Sequence, residues 1–173
     1  MLEAIRVMQE TDYEPYRSFL FVAYSGEGLE GGEFVSDPDV TRFLQAHPGF
    51  TNFKLEAIVK LRGVGGGTGD RLEISAGGSL RLAELFETAA RRLGVDTVRA
   101  DETIDIGVIY EGESVLPLVQ EGQEAPVVRL FWEGWDEHSR LPTDTLANIS
   151  AANLEEAGRT LALSLMILGR ERE

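Results

Sequence analysis

Asp136, Glu137 and His138 are three consecutive hard-metal or zinc ligands in one polar stretch. Neighbouring residues rarely all reach a single ion, so further ligands would have to come from elsewhere, with Asp101 and Asp144 the candidates. There is no His-Glu-x-x-His, and the other histidine, His47, precedes Pro48 at an expected helix end, where it complements the dipole. Asp101, Thr103 and Asp105 match the opening of a calcium loop at its first, third and fifth positions. The match then fails, because Ile106 stands where glycine is needed and Gly112 where a bidentate glutamate is needed. Asp101, Asp105, Asp136, Glu137 and His138 are therefore the residues from which a carboxylate–histidine site would be drawn. No cofactor and no resident metal is predicted.

Two glycine clusters invite comparison with phosphate cradles, since glycine lets backbone N–H groups approach an anion closely. Gly63–Gly69 lacks the lysine and the following helix that a P-loop requires; Asp70 and a strand come next. Gly77, Gly78 and Ser79 precede a helix, where unpaired N–H groups and the dipole favour an anion and Arg81 adds charge. Nucleophile signatures fail: there is no Gly-x-Ser-x-Gly, no Ser-x-x-Lys and no cysteine. Without cysteine there are also no disulfides, no Fe–S clusters and no thiolate zinc site. Trp132 and Trp135 are three apart, which is not strand alternation, so at least one lies in a loop. An exposed tryptophan is a binding anchor.

Charge narrows the partners. The chain of 173 residues carries 30 acids against 16 bases, a net charge of −14. Residues 10–39 hold eight acids and one base, and residues 101–124 hold seven acids and no base; the remainder is neutral. Such a surface repels phosphate and anionic lipid, so nucleic acid and membranes are disfavoured and basic partners favoured. No apolar run reaches membrane-spanning length, and the N-terminal residues lack the basic and apolar regions of a secretory signal. The expected location is the cytoplasm.

The elements that must position these groups follow from periodicity. Residues 1–9 fit either a helix or a strand. Arg17–Tyr24 is apolar on both alternating faces and reads as a covered strand. Ser36–Asp39 opens a helix that ends at His47–Gly49. Lys54–Arg62 and Arg71–Ala76 alternate and predict an antiparallel hairpin with a long flexible tip. Ser79 caps a helix with apolar residues at Leu82, Leu85, Phe86, Ala89 and Leu93, closed by Gly94. Strands are expected at 103–110 and 126–133, with Val115–Val119 at an edge or in no ladder because of Pro117. A last helix begins at Ser150 with the stripe Leu154, Ala157, Leu161, Leu165 and Leu168. From Leu161 it is apolar almost all round.

These elements predict a single globular domain over 1–173 of the α+β class. It has two layers: a mostly antiparallel sheet of five or six strands with two or three helices on one face. A helix apolar on all sides must be buried on all sides. Leu161, Leu163, Leu165, Met166, Ile167 and Leu168, with Trp135, are thus the expected interface of a homodimer. Three readings of function follow. The first is a non-catalytic acidic interaction domain, adapter or chaperone-like, that self-associates through its last helix and engages a basic or apolar protein. The second is an enzyme with a carboxylate–histidine site. The third is an acidic mimic of nucleic acid that blocks a DNA-binding protein. The first leads, because every catalytic pattern fails while the surplus features belong to the surface.

Overall fold

In the computed structural model, residues 1–23, 29–30, 33–34, 56–77, 79–100, 126–138 and 141–171 are described. The chain divides into two compact units. One comprises Met1–Phe21, Val59–Ala100 and Val127–Glu173; the other comprises Val22–Ile58 and Asp101–Pro126. In the second unit, β1 (Leu29–Glu30) and β2 (Glu33–Phe34) form a short antiparallel ribbon with Leu29 opposite Phe34. Two residues per strand are too few for periodicity to register in the sequence.

The main sheet has four strands: β3 (Ile58–Leu61), β4 (Leu72–Gly77), β5 (Thr97–Arg99) and β6 (Val127–Trp132). Their spatial order is β3-β6-β4-β5. β4 runs antiparallel to β6 and parallel to β5. The bonds Ile58 N–H to Pro126 O and Arg62 N–H to Leu130 O advance together along both chains, as parallel strands require. The fold is α+β as expected, but the sheet is mixed and has four strands, where a mostly antiparallel sheet of five or six was expected. The expected helix at 36–49 and the expected strands at 103–110 and 115–119 lie outside the described residues. Arg17–Ala23, expected as a strand, joins no ladder; Phe19 lies against a helix end instead, as described below.

The predicted hairpin is corrected in the same way. β3 and β4 are antiparallel in sense but do not touch, because β6 lies between them. The connection from Arg62 to Arg71 must therefore cross the end of β6, and its glycines make that crossing possible. Gly69 N–H donates to Glu133 O at 3.1 Å, and Trp132 Nε1–H donates to Gly69 O at 2.8 Å. Ser150 N–H donates to the carbonyl of the buried Gly65 at 2.7 Å. At Gly67, where φ is +104°, a Cβ would lie 2.4 Å from Glu133 O. The segment is a packed crossing and not a free tip.

Register explains the core. Leu72, Ile74 and Ala76 of β4 stand opposite Trp132, Leu130 and Val128 of β6, and all six are buried. The helix α2 (Leu80–Leu93) links β4 to β5 and packs against both, with Leu82, Phe86, Ala89 and Ala90 buried. Ser79 caps it by accepting from Leu82 N–H, and Gly94 closes it in the left-handed conformation at φ 74°. The other face of the sheet is not plainly wet: Ser75 and Phe131 are buried there, and Trp135 stacks on Phe131 with centroids 6.1 Å apart.

Two more helices complete this unit. α3 (Ala151–Arg170) starts at Ser150, whose hydroxyl accepts from Asn153 N–H at 3.2 Å, and packs on α2. α1 (Leu2–Glu10) packs on α3 through the buried Ala4 and Met8. Leu154, expected in the buried stripe of α3, is 46% exposed. Thr160 and Ser164, one turn apart on α3, are fully buried with hydroxyls that meet no hydrogen-bond partner. Their small size permits close packing at that position.

Candidate interaction surface

The C-terminal half of α3 is the most apolar helical stretch of the chain, and its residues divide by direction. Leu161, Leu165 and Leu168, all expected at an interface, point into their own unit and are 3%, 7% and 7% exposed. Leu163, Met166 and Ile167 lie on the other side and are half-buried. The helix therefore hides about half of its girth within its own unit, leaving a narrower apolar face than the sequence suggested.

Part of that girth is covered by the N-terminal strap, residues 11–21. Carbonyls in the last turns of the helix have acceptor capacity to spare, and the strap donates to three of them. Tyr13 Oη–H donates to Met166 O at 2.6 Å, Tyr16 N–H to Gly169 O at 2.7 Å, and Arg17 Nη1 to Leu168 O at 3.4 Å. Phe19 lies so close to Gly169 that a Cβ there would stand 2.6 Å from its ring. The guanidinium of Arg170 sits 5.3 Å from the centre of the Tyr13 ring. Burial pushes the Tyr13 phenol above its ordinary pKa, and Arg170 opposes the shift in part. This use of Arg17–Phe21 explains why an apolar aromatic run forms no strand.

Between strap and helix runs an open groove of about 500 Å³, lined by Thr11, Tyr13, Met166, Ile167, Arg170 and Glu171. A smaller depression of about 150 Å³ lies on the other side of Tyr13, against α1, lined by Ile5, Met8, Gln9, Pro15 and Phe21 as well as Tyr13 itself. The groove walls are mainly aliphatic and aromatic, with a cation and an anion at one end. Such a lining offers apolar contact area, with Thr11, Arg170 and Glu171 as its polar side chains. Of the groove's lining, Met166 and Ile167 were among the expected interface residues and Thr11 and Tyr13 were not; Tyr13 reaches α3 by a contact across more than 150 positions.

The other candidates scatter. Asp101 and Asp105 lie outside the described residues. Asp136 and Glu137 are exposed on a one-turn 3-10 helix, and His138 is half-buried just after it. Glu137 Oε1 accepts from Thr68 Oγ1 at 2.9 Å, tying that turn to the glycine-rich crossing. Among the described residues, no three His, Asp or Glu side chains group as metal ligands. Gly77 ends β4, Gly78 lies outside the described residues, and the Ser79 hydroxyl is engaged as the α2 cap. Arg81 is ion-paired with Glu171 at the end of α3. Trp135 is half-buried, stacked on Phe131, with Arg62 4.9 Å from its ring centre. Beneath it, a Cβ at Gly63 would lie 2.6 Å from Trp135 Cβ. That ring is committed to its own unit. The neighbouring Glu133 carboxyl is held below the usual carboxylate range by Arg71, with Nε of Arg71 at 3.1 Å.

No helix among the described residues is long and apolar enough to cross a membrane. No family model, no curated protein and no solved structure matches this chain.

Proposed function

We propose that this chain is a non-catalytic, cytoplasmic protein-interaction domain, adapter or chaperone-like, that self-associates through α3 and engages a basic or apolar protein with its remaining surface. The observation that carries this reading is the half-buried cluster Leu163, Met166 and Ile167, beside the apolar groove at the Tyr13 strap. An apolar patch rimmed by charge is what a partner surface buries. Three of the groups weighed for chemistry have partners within the chain: Glu137 holds Thr68, Arg81 holds Glu171, and Ser79 caps α2.

Light scattering tests the reading. The wild-type chain is expected to run as a dimer at micromolar concentration. Leu163→Glu, at a half-buried position, is expected to run as a folded monomer with unchanged far-UV circular dichroism. A wild-type chain that stays monomeric at about 200 μM, where even a weak specific contact would show, sinks the self-association.

A further inference from the structure

Resting on the self-association just proposed, we infer that the second copy lies antiparallel across α3, with Glu156 of each subunit facing Arg170 of the partner subunit. The outward stripe of α3 reads Ala152, Glu156, Arg159, Leu163, Met166 and Arg170, at alternating spacings of four and three. That is the spacing of a helix seam. Glu156, Leu163, Met166 and Ile167 are half-buried, while Arg159 and Arg170 are exposed, and none of them is among the buried residues of α3.

Two of the three charges on this stripe, Glu156 and Arg170, are mutually complementary; the third, Arg159, is ion-paired with Glu155 of its own helix at 3.8 Å. Leu163 lies seven residues from Glu156 and seven from Arg170. Seven residues are two helical turns, about 10.5 Å along the axis, and they keep all three side chains on one face. A two-fold axis at Leu163 sets an acid against a base on both sides of the apolar centre. In an isologous dimer each contact occurs twice, so one favourable pair becomes two. A parallel alignment does the reverse: Glu156 meets the partner's Glu156, and Arg170 meets the partner's Arg170. Charge therefore selects the antiparallel copy, while the apolar centre of Leu163, Met166 and Ile167 supplies the adhesion. Arg170 rests against the Tyr13 ring, which orients its guanidinium at the mouth of the groove. Met166 and Ile167 line that same groove, so the crossing helix also covers the apolar wall of the strap.

The chain has no cysteine, which makes single-cysteine probes clean. Oxidation of an equimolar mixture of Glu156→Cys and Arg170→Cys chains is expected to give a crosslinked dimer, and neither variant alone is expected to crosslink. In sedimentation at low salt, Glu156→Arg and Arg170→Glu are each expected to raise the dimer dissociation constant on the order of tenfold. The chain carrying both reversals is expected to return to within about threefold of wild type, because the pattern is restored with its signs exchanged. Crosslinking of Glu156→Cys with itself, or failure of the double reversal to restore the dimer, overturns the antiparallel register. A dimer that Leu163→Glu dissociates but that ignores both reversals also overturns it, while leaving self-association standing. A monomeric wild-type chain overturns self-association and the register together.

Discussion

At single positions, the glycines between β3 and β4 show how topology reaches down to one side chain. Gly67 sits at φ +104°, with the carbonyl of Glu133 where a Cβ would fall. Gly66, its neighbour, has 3.9 Å of clearance to the nearest atom and no positive φ. The same substitution should therefore have opposite consequences one residue apart. Gly67→Ala forces a strained backbone and a clash with main chain, and it is expected to cost about 3 kcal/mol. Gly66→Ala should stay within about 0.5 kcal/mol of wild type. Urea denaturation of the two variants decides it; equal stabilities would mean that the crossing over β6 is loose. The sequence showed a cluster of glycines but not their use, since the atom that excludes a Cβ at Gly67 belongs to a residue more than sixty positions away.

At the scale of elements, the legible parts are those whose causes are local. The helix α2 was predicted with its cap at Ser79, its buried Leu82, Phe86 and Ala89, and its left-handed Gly94, because each signal lies within a few residues of its effect. Strands β4 and β6 were placed by alternation, yet their partners were not, because pairing depends on which distant strand arrives beside them. β5 has three residues and carries no periodic signal. The apolar excess of α3 was readable; which half faces out was not, because that follows from the strap. The strap is a helix cap delivered from the other end of the chain, and its sensitivity to pH can be worked out. Tyr13 must be protonated to donate to Met166 O, and burial raises its pKa in the folded state. A phenol raised on folding gives stability that is complete below its unfolded pKa, near 10, and is lost as pH climbs through the folded value. Tyr13→Phe is expected to lower stability at pH 7 by about 1 kcal/mol, the worth of one such bond. It should also flatten the decline between neutral and strongly alkaline pH. Denaturation curves at the two pH values test this, and an unchanged alkaline decline in the variant would assign the loss to other groups.

For the whole molecule, charge and apolar surface make opposite demands on salt. Each chain carries −14, all of it traceable to residues 10–39 and 101–124. Two such chains repel at long range, and added salt screens that repulsion within roughly 10 Å at 0.1 M. In the proposed dimer, adhesion through Leu163, Met166 and Ile167 should not weaken with salt, because apolar burial has no charge to screen. The proposed flanking Glu156–Arg170 pairs should weaken, but exposed pairs are worth only about 0.2–1 kcal/mol each. The balance favours a dimer that holds or tightens as salt rises from about 50 to 500 mM. Binding of a cationic partner should move the other way, since its attraction is the same long-range field with the sign reversed. Light scattering on the chain alone, beside titration with a lysine-rich peptide across the same salt range, separates the two kinds of association. A dimer that dissolves at 500 mM salt would show that charge holds it together, and the outward face of α3 would then lose its role as the adhesive surface. A peptide affinity indifferent to salt would remove the acidic segments from partner binding.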